Sequence, residues 1–244
     1  MQCLKNYGYS ILRNKMILDN QQVNKIIENG FDCYKDIELV ELLLSLRVDR
    51  RNYWSESIAI FRKYKTLREV LDAPQEELKT IRGYKEHFRL GLQLPQFVAN
   101  RYLEQKLREK PVMNNPKDVI KYLSHSMRGL EKEHFKVLYL NNKNMIIANE
   151  DHAKGTVNYV QPYTREILKN ALKHNATSVI LAHNHTSGDP SPSSDDIKFT
   201  EYVYCGARFL DIALHDHIII GDNRYYSFEE KGIMDGYGKE LKES

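Results

Sequence analysis

The sequence predicts an α/β fold for its second half, preceded by an all-α first half. Three observations indicate this division. Up to about residue 110, apolar residues recur at three- and four-residue intervals, which is the period of amphipathic helices. Beyond that point, short β-branched and aromatic runs alternate with helical segments, an order typical of a partly parallel sheet flanked by helices. Between the halves lies PVMNNP, whose prolines and asparagines favour a linker over residues 111–116.

The first half, residues 1–110, contains three segments with helical periodicity: DIELVELLLSL, SESIAIFRKY and QFVANRYLEQKL. A further short helix is predicted within DAPQEELKTIRGYK, because Pro74 is tolerated in a first helical turn and Gly83 follows the end of the pattern. No strand pattern competes with these segments. We therefore expect a wholly helical domain here.

The second half, residues 117–235, begins with a β-hairpin, predicted from HFKVLYL and NMIIANE with NNKN between them. A helix with Thr164 as its N-cap is predicted from TREILKNALKHN, followed by the short buried strand SVILAH. A second helix, ended by Gly206, is predicted from SSDDIKFTEYVYCGA. The domain closes with strand, turn and strand in LDIALHDHIIIGDNRYYSF, and residues 236–244 form a polar tail.

The composition is that of an ordinary globular protein, with 41% hydrophobic and 28% charged residues among 244. There is no apolar stretch long enough to cross a bilayer and no secretory signal at the N-terminus, so we expect a cytoplasmic protein without membrane contact. The cysteines, Cys3, Cys33 and Cys205, are far apart and odd in number, which favours free thiols and excludes a cysteine-rich zinc site. A net charge of +3, with its surplus in the first half, is too small to indicate nucleic-acid binding on its own.

The stretch HNHTSGDPSPSSDD, residues 183–196, combines side chains that bind a catalytic metal ion. His183 and His185 are two residues apart, so on a strand they project to the same face. They stand where the strand SVILAH ends, which is where α/β sheets form ligand crevices. Ser193 is a natural N-cap for the next helix, and Asp196 lies in its first turn, able to reach the strand end. Two imidazoles and a carboxylate are the ligands of a catalytic zinc site, one ion per chain, with a fourth position left for water.

The residue types leave alternatives open. Iron and manganese accept the same ligands, and zinc is favoured because neither a third histidine nor a redox partner is evident. Asp189 and Asp195 compete with Asp196, but Asp195 points about 100° away around the helix and Asp189 lies on the turn itself. A solvated loop could contain the same residues, although a His-x-His pair, a constrained loop and a helix cap together favour the metal site.

The same residues resemble a known family. His-Asn-His followed by seven residues and Ser-x-x-Asp is similar to the JAMM motif of MPN (JAB) domain metallopeptidases, and the fuller string AHNHTSGDPSPSSDD resembles the RadC branch of that superfamily. The similarity covers roughly residues 115–235 and includes EHFKVLYL, GTVNYV, TREILKNAL and HDHIIIG. Thr186 departs from the branch, which usually has proline there. The resemblance implies an MPN-type mixed β-sheet flanked by helices.

The resemblance also implies roles for individual residues. His183, His185 and Asp196 would hold zinc, Ser193 would stabilise the oxyanion of a tetrahedral intermediate, and Glu133 would be the general base. Spacing alone does not select this glutamate, because two others lie nearby in the sequence, Glu131 and Glu150. The implied reaction is attack of zinc-bound water on an amide carbonyl, with the glutamate passing the proton to the leaving amine.

A second His-x-His pair, His215 and His217 around Asp216, lies inside the apolar run LDIALHDHIII. We interpret these histidines as structural, buried or partly buried and hydrogen-bonded. The resemblance includes Asp216 and His217 but assigns them no ligand role.

The stretch LREVLDAPQEELKTIRGYK resembles the helix-hairpin-helix element found ahead of the catalytic domain in RadC-like proteins. Such hairpins use a Gly-x-Gly turn whose backbone N–H groups contact a DNA phosphate. Here the pair is Gly83 and Lys85, and a left-handed lysine costs about 1 kcal/mol, which predicts an altered turn. Weak DNA binding through the N-terminal half and a helical domain used for packing or oligomerisation both stay open.

The sequence is compatible with three functions. The first is a zinc-dependent metallopeptidase or isopeptidase acting on a peptide or protein. The second, which the resemblance to the RadC branch implies, is a metal-dependent nuclease or a DNA-binding protein associated with DNA repair. The third is a non-catalytic metal-binding module that recruits a partner. Phosphodiester cleavage often uses two metals bridged by carboxylates, and a motif with ligands for one ion therefore favours the first. Homo-oligomer formation is left open.

Overall fold

The computed structural model describes residues 20–45, 53–128, 130, 132–154 and 162–237. Several sequence predictions fall outside these residues, namely those on the N-terminal segment, on Glu131, on GTVNYV and on the tail beyond residue 237. The chain divides into two compact units, Met1–Val98 and Ala99–Ser244.

The first unit is helical over its described residues, as the sequence predicts. Its elements are α1 (Asn20–Asn29), a 3₁₀ turn (Phe31–Cys33), α2 (Asp36–Leu44), α3 (Trp54–Lys63), α4 (Leu67–Leu71), α5 (Gln75–Lys79) and the first part of α6 (Glu86–Arg108). Helices α2 to α6 share one apolar core, formed by Val40, Leu44, Tyr53, Ile60, Val70, Leu78, Phe88 and Leu92.

Helix α6 is longer than the sequence predicts. The periodic segment begins at Gln96, whereas the helix begins at Glu86 and contains Pro95. Proline lacks an N–H group and disfavours a helix interior by about 3 kcal/mol. Phe88 and Leu92 are buried in the core of the first unit, so their packing outweighs the local preference.

The turn between α5 and α6 avoids the strain expected of a left-handed lysine. Gly83 has φ 85°, in the region that favours glycine. Lys85 is not among the described non-glycine residues with positive φ. Its ammonium group lies 4.9 Å from the centroid of the Tyr53 ring, a cation–π contact that holds the lysine against the helical core.

The second unit contains a mixed sheet flanked by helices, which confirms the predicted fold class. The sheet has the order β2-β1-β3-β4-β5, and among the described strands only β3 and β4 pair in parallel. Its elements in chain order are a 3₁₀ turn (Val112–Asn114), α7 (Pro116–Met127), β1 (His134–Leu140), β2 (Ile146–Lys154), α8 (Thr164–Lys173), β3 (Ser178–Asn184), α9 (Ser194–Arg208), β4 (Ala213–Ile220), β5 (Tyr225–Ser227) and a 3₁₀ turn (Ile233–Gly236).

The central strand β3 is buried on both faces, as expected for a strand between two helical layers. Ile180 and Ala182 pack in a cluster that includes residues of α7. Val179 and Leu181 pack on the other face, in a cluster that includes residues of α8 and α9. Because side chains alternate along a strand, the residue that continues this second face is His183.

Two predicted details of the helices flanking the second face are wrong. Thr164 is the first residue of α8, and the N-cap is Tyr163, which makes no side-chain capping bond. Helix α9 continues through Gly206 to Arg208. A Cβ atom at Gly206 would lie 2.9 Å from Cδ1 of Leu168 in α8, so this glycine allows the two helices to approach closely and does not end a helix.

Residues 111–116, predicted as a linker, contribute to the second unit. Val112 is buried in the cluster of α7, its N–H donates to the carbonyl of Asn144 at 2.9 Å, and Pro116 begins α7. The division between the compact units falls earlier in the chain, after Val98. In the part of the chain that the structure describes, no helix combines the length and apolar character that a membrane span needs.

Candidate metal centre

The two histidines of the motif lie at the end of β3 and are held by the strands on either side. His183 pairs with Phe135 in the register of β1 and β3, and their rings stack with centroids 5.9 Å apart. On the other side, the N–H of His185 donates to the carbonyl of Ile220 at 3.0 Å. The chain therefore stays attached to β4 one residue past the end of β3, which keeps both imidazoles beside α9.

The loop after His185 brings the chain back to α9 and is shaped by its own hydrogen bonds. The N–H of Gly188 donates to the carbonyl of His185 at 3.1 Å, and the Gly188 carbonyl accepts from the N–H of Asp222 at 3.1 Å. The Asp189 carboxylate accepts from the backbone and hydroxyl of Ser191 at 3.2 Å and 3.0 Å. Asp189 therefore stabilises the loop with its carboxylate and is not brought into the histidine cluster.

Ser193 caps α9, as the sequence predicts, and its cap orients Asp196. The Ser193 hydroxyl accepts from the Asp196 N–H at 3.1 Å. In return, Oδ2 of Asp196 accepts from the N–H and the hydroxyl of Ser193 at 2.8 Å and 2.6 Å. This reciprocal capping box fixes the Asp196 side chain, which is 1% exposed, and turns Oδ1 toward the end of β3.

The structure brings the three predicted ligand side chains together. Nε2 of His183 lies 3.0 Å from Nε2 of His185 and 3.3 Å from Oδ1 of Asp196. Nε2 of His185 lies 3.5 Å from Oδ2 of Asp196. One donor atom from each residue can be chosen so that all lie within 4.8 Å of one another, a separation that one divalent ion with bonds of about 2.0–2.2 Å can bridge.

The chemistry of these donors fits a cation. Nδ1 of His185 lies 2.8 Å from the carbonyl oxygen of Asp189. A carbonyl only accepts, so Nδ1 carries the hydrogen and Nε2 of the neutral ring presents a lone pair to the cluster. Oδ1 of Asp196 is buried and accepts no hydrogen bond from the described residues. Electron-pair donors converge on one point there, and a divalent ion could satisfy them together.

The pKa shifts follow from the same contacts. Burial of the Asp196 carboxyl would raise its pKa, but the adjacent imidazoles of His183 and His185 and the hydrogen bond from Ser193 hold that pKa well below its ordinary range. Burial lowers the pKa of His183, whereas the neighbouring carboxylate of Asp196 raises the pKa of the less buried His185. Asp196 is therefore an anion and His183 a neutral imidazole near neutral pH, which are the forms that bind metals.

Glu133 lies directly before β1 and is half-buried. Its charge raises the pKa of both imidazoles, in the same direction as the larger effect of Asp196 and against the effect of burial. Asn184, the middle residue of His-Asn-His, clamps the backbone on both sides of this glutamate. Its Oδ1 accepts from the N–H of His134 at 2.8 Å, and its Nδ2 donates to the carbonyl of Lys132 at 3.2 Å.

The remaining candidates lie elsewhere. Asp195 is exposed on α9. Glu150 accepts from His174 and Asn170, at 2.7 Å and 2.9 Å. Nε2 of His215 lies 3.0 Å from Oδ1 of Asn144, away from the cluster.

His217 contacts the cluster, which sequence reasoning missed. It is fully buried, with Nε2 2.8 Å from Nδ1 of His183 and Nδ1 2.6 Å from Oγ1 of Thr200. Burial lowers its pKa well below the ordinary value. The sequence contained only part of the signal: Thr200 lies one helical turn after Asp196, whereas the place of His217 beside His183 depends on the register of β4 against β3.

Comparison with known proteins gives a consistent result. The profile of the family described as RadC-like JAB domain matches residues 113–233. A UPF0758 protein of Rhodobacter capsulatus is 33% identical over 210 residues, which are 86% of this chain and 98% of that protein. The UPF0758 protein Smlt0399 of Stenotrophomonas maltophilia is 36% identical over 86% of this chain and 90% of its own length. The UPF0758 protein SPO0054 of Ruegeria pomeroyi is 34% identical over 86% and 94%.

Proposed function

The chain belongs to the RadC-like JAB domain family, and from this membership and its candidate metal centre we propose that it is a zinc-dependent hydrolase of the metallopeptidase or isopeptidase type. The observation that carries the proposal is the convergence of His183, His185 and Asp196 at the end of β3. A buried carboxylate oxygen without a hydrogen-bond donor among the described residues and an imidazole lone pair meet at one point, which favours an ion there.

Zinc fits this donor set better than other common ions. Two imidazoles and one carboxylate match the ligands of zinc peptidases and leave a coordination position open. Magnesium and calcium prefer sites made of oxygen ligands alone. A zinc ion held by these three residues would polarise an amide carbonyl and lower the pKa of the attacking water.

The chain's own residues supply the proton transfers. We assign Glu133 as the general base that takes the proton of the attacking water and gives it to the leaving amine. Asn184 bonds to the backbone on either side of Glu133, so the segment that carries the glutamate is held in place. Ser193 orients Asp196, and a turn of its hydroxyl away from Oδ2 would direct the O–H group to the oxyanion.

The proposal is tested with the full chain and a Glu133→Gln variant. Zinc content is measured after purification, and turnover is measured with a library of internally quenched peptides and a set of lysine ε-amide conjugates. We expect one zinc ion per chain in both proteins and turnover about 100- to 10,000-fold lower in the variant, the usual contribution of a general base. Glutamine keeps the size of the side chain and removes its basicity, so retained zinc with lost turnover isolates the chemical role.

Other outcomes separate the alternatives. Equal turnover in the two proteins would exclude Glu133 from the mechanism. Cleavage of duplex DNA by the zinc form, in the absence of peptide turnover, would favour the nuclease. Stoichiometric zinc without turnover of any substrate class would favour a metal-binding interaction module.

A further inference from the structure

We propose that His217 and Thr200 are positioning residues of the metal centre: their hydrogen bonds fix His183 in the tautomer whose Nε2 lone pair faces the ion. The proposal rests on the proposed zinc centre. It assigns a role to the second His-x-His pair, of which one member contacts the first pair, and to a threonine that the sequence motif does not include.

The direction of each hydrogen bond follows from the backbone carbonyl of Asp196, the acceptor at which this series of contacts ends. Oγ1 of Thr200 lies 2.6 Å from the backbone carbonyl of Asp196. A carbonyl only accepts and a hydroxyl has one hydrogen, so the threonine donates to Asp196. The same oxygen lies 2.6 Å from Nδ1 of His217, and it must accept there, which places the imidazole hydrogen on Nδ1.

The same reasoning locates the hydrogen on His183, the metal ligand. With its hydrogen on Nδ1, a neutral His217 presents the lone pair of Nε2 to Nδ1 of His183, 2.8 Å away. Nδ1 of His183 must therefore carry a hydrogen. The Nε2 atom of the neutral His183 ring is left as a lone pair, and this is the atom that lies 3.3 Å from Oδ1 of Asp196.

Burial makes the arrangement rigid. His183, Thr200 and His217 are each 0% exposed, so bulk water does not compete for these hydrogen bonds. Removal of one partner leaves a buried polar group unsatisfied, which is costly. The rings of Phe135 and Phe228 also pack against His217, at centroid distances of 5.7 Å and 5.0 Å, and hold its plane.

The contacts also couple two ligands to each other. Thr200 bonds to the carbonyl of Asp196, the residue whose side chain is the carboxylate ligand. Asp196 is thus linked to His183 through Thr200 and His217, apart from any shared ion. Partners that orient a ligating histidine typically contribute about 10- to 100-fold to metal affinity. His217 does not itself act as a ligand here, because both of its ring nitrogens are used.

The test compares zinc affinity in three variants, measured by competition with a chelating dye, with thermal stability measured in the metal-free state. Thr200→Val keeps the shape of the side chain and removes the hydroxyl, and we expect it to bind zinc about 10- to 100-fold more weakly. Thr200→Ser restores the donor and should bind within a few-fold of the wild type. Ser57→Ala is the matched control, because Ser57 donates to the carbonyl of Tyr53 at 3.0 Å in the first unit, and it should leave zinc affinity unchanged.

A second readout does not depend on zinc. Long-range ¹⁵N–¹H NMR correlations of metal-free protein at mildly alkaline pH report the tautomer of each histidine, and we expect the Nδ1–H form for both His183 and His217. In Thr200→Val, the signature of His217 should change.

An Nε2–H form of His183 in the wild type, or wild-type zinc affinity in a destabilised Thr200→Val protein, would overturn the proposal. Failure of the wild type itself to bind zinc would overturn the proposed function, and the NMR result would still decide the tautomer.

Discussion

The chain contains two His-x-His sequences in neighbouring parallel strands, and they occupy different environments. His183 and His185 stand at the end of β3, where the second histidine extends past the last strand residue. His215 and His217 lie inside β4, and there the bonding separates them. Nε2 of His215 contacts Asn144 in the hairpin turn, whereas His217 contacts His183 and Thr200.

The middle residues of the two His-x-His sequences also bond to different parts of the domain. Asn184 bonds to the backbone that flanks the candidate base. Asp216 accepts from the hydroxyl of Ser227 at 2.7 Å and from the N–H of Glu229 at 3.0 Å. Both partners follow β4 in the chain, near the C-terminal end of the domain. Identical spacing therefore does not give identical chemistry. The strand end and the neighbouring helix decide which imidazoles converge on the carboxylate of Asp196 and which one instead bonds to His183.

The largest expected difference between the two pairs is in zinc binding. Four-ligand zinc sites have apparent binding free energies of about 10–16 kcal/mol, so each ligand is worth about 2.5–4 kcal/mol on this scale. We expect His183→Ala to lose about 100- to 1000-fold in zinc affinity and to purify with little zinc. His215→Ala removes the same number of atoms from the same sheet, and this variant should keep its zinc. Metal analysis of both variants, with the competition assay, measures the difference.

Equal zinc content in the two variants would contradict the comparison. A matching loss in both would mean that damage to the sheet, and not removal of a ligand, lowers the metal content. Metal-free thermal stability of each variant distinguishes these cases, because a ligand effect disappears when no metal is present.

The next largest effect concerns the pH dependence of stability at the middle residue of the second pair. Burial raises the pKa of Asp216 to about 6, from an ordinary value of 3.8. The folded protein therefore binds a proton more tightly than the unfolded chain between these values. The resulting stabilisation is present below about pH 4 and is lost as the pH rises through about 6, and it amounts to about 3 kcal/mol at most.

Denaturant unfolding of the wild type and of Asp216→Asn across this range measures the effect. The asparagine variant does not titrate here, so its stability relative to the wild type should increase as the pH rises. The histidines and Asp196 are common to both proteins, and their contributions cancel in the difference. Parallel stability curves for the two proteins would contradict the assigned shift.

The local part of the site could be predicted from the sequence. Ser193, Asp196 and the histidines lie within one strand–loop–helix segment, and period-two and capping rules apply directly to such a segment. The cap of α9 and the mixed α/β sheet are confirmed. The contacts of His217 depend on the register of β4 against β3 and on the rotation of α9, and neither is fixed by a local pattern.

The errors in the helices have the same origin. Pro95 and Gly206 look like helix breakers in isolation, yet both lie inside helices. The buried side chains of α6 and the close contact of Gly206 with Leu168 are tertiary effects, which routinely outweigh local propensity. Thr164 has the right residue type for an N-cap but lies one position inside the helix, within the usual uncertainty of helix ends.

The smallest expected effect is that of replacing Asn184. This replacement tests whether the segment with the first histidine pair also holds the backbone at the start of β1. Asn184→Ala leaves the N–H of His134 and the carbonyl of Lys132 without their side-chain partner. Lys132 is exposed, so water replaces part of the loss, and we expect a destabilisation of about 1–2 kcal/mol. Amide hydrogen exchange should quicken at the start of β1, while zinc affinity stays near that of the wild type because no ligand is altered.

Turnover provides the decisive comparison for this variant. If Asn184 positions Glu133, Asn184→Ala should lower kcat at unchanged zinc occupancy, and the loss should be absent in the Glu133→Gln background, where no base remains to be positioned. An additive loss in the double variant would mean that Asn184 acts independently of the glutamate. The amide between the two histidines would then serve the strand end alone, and the link between metal centre and base would have to come from another contact.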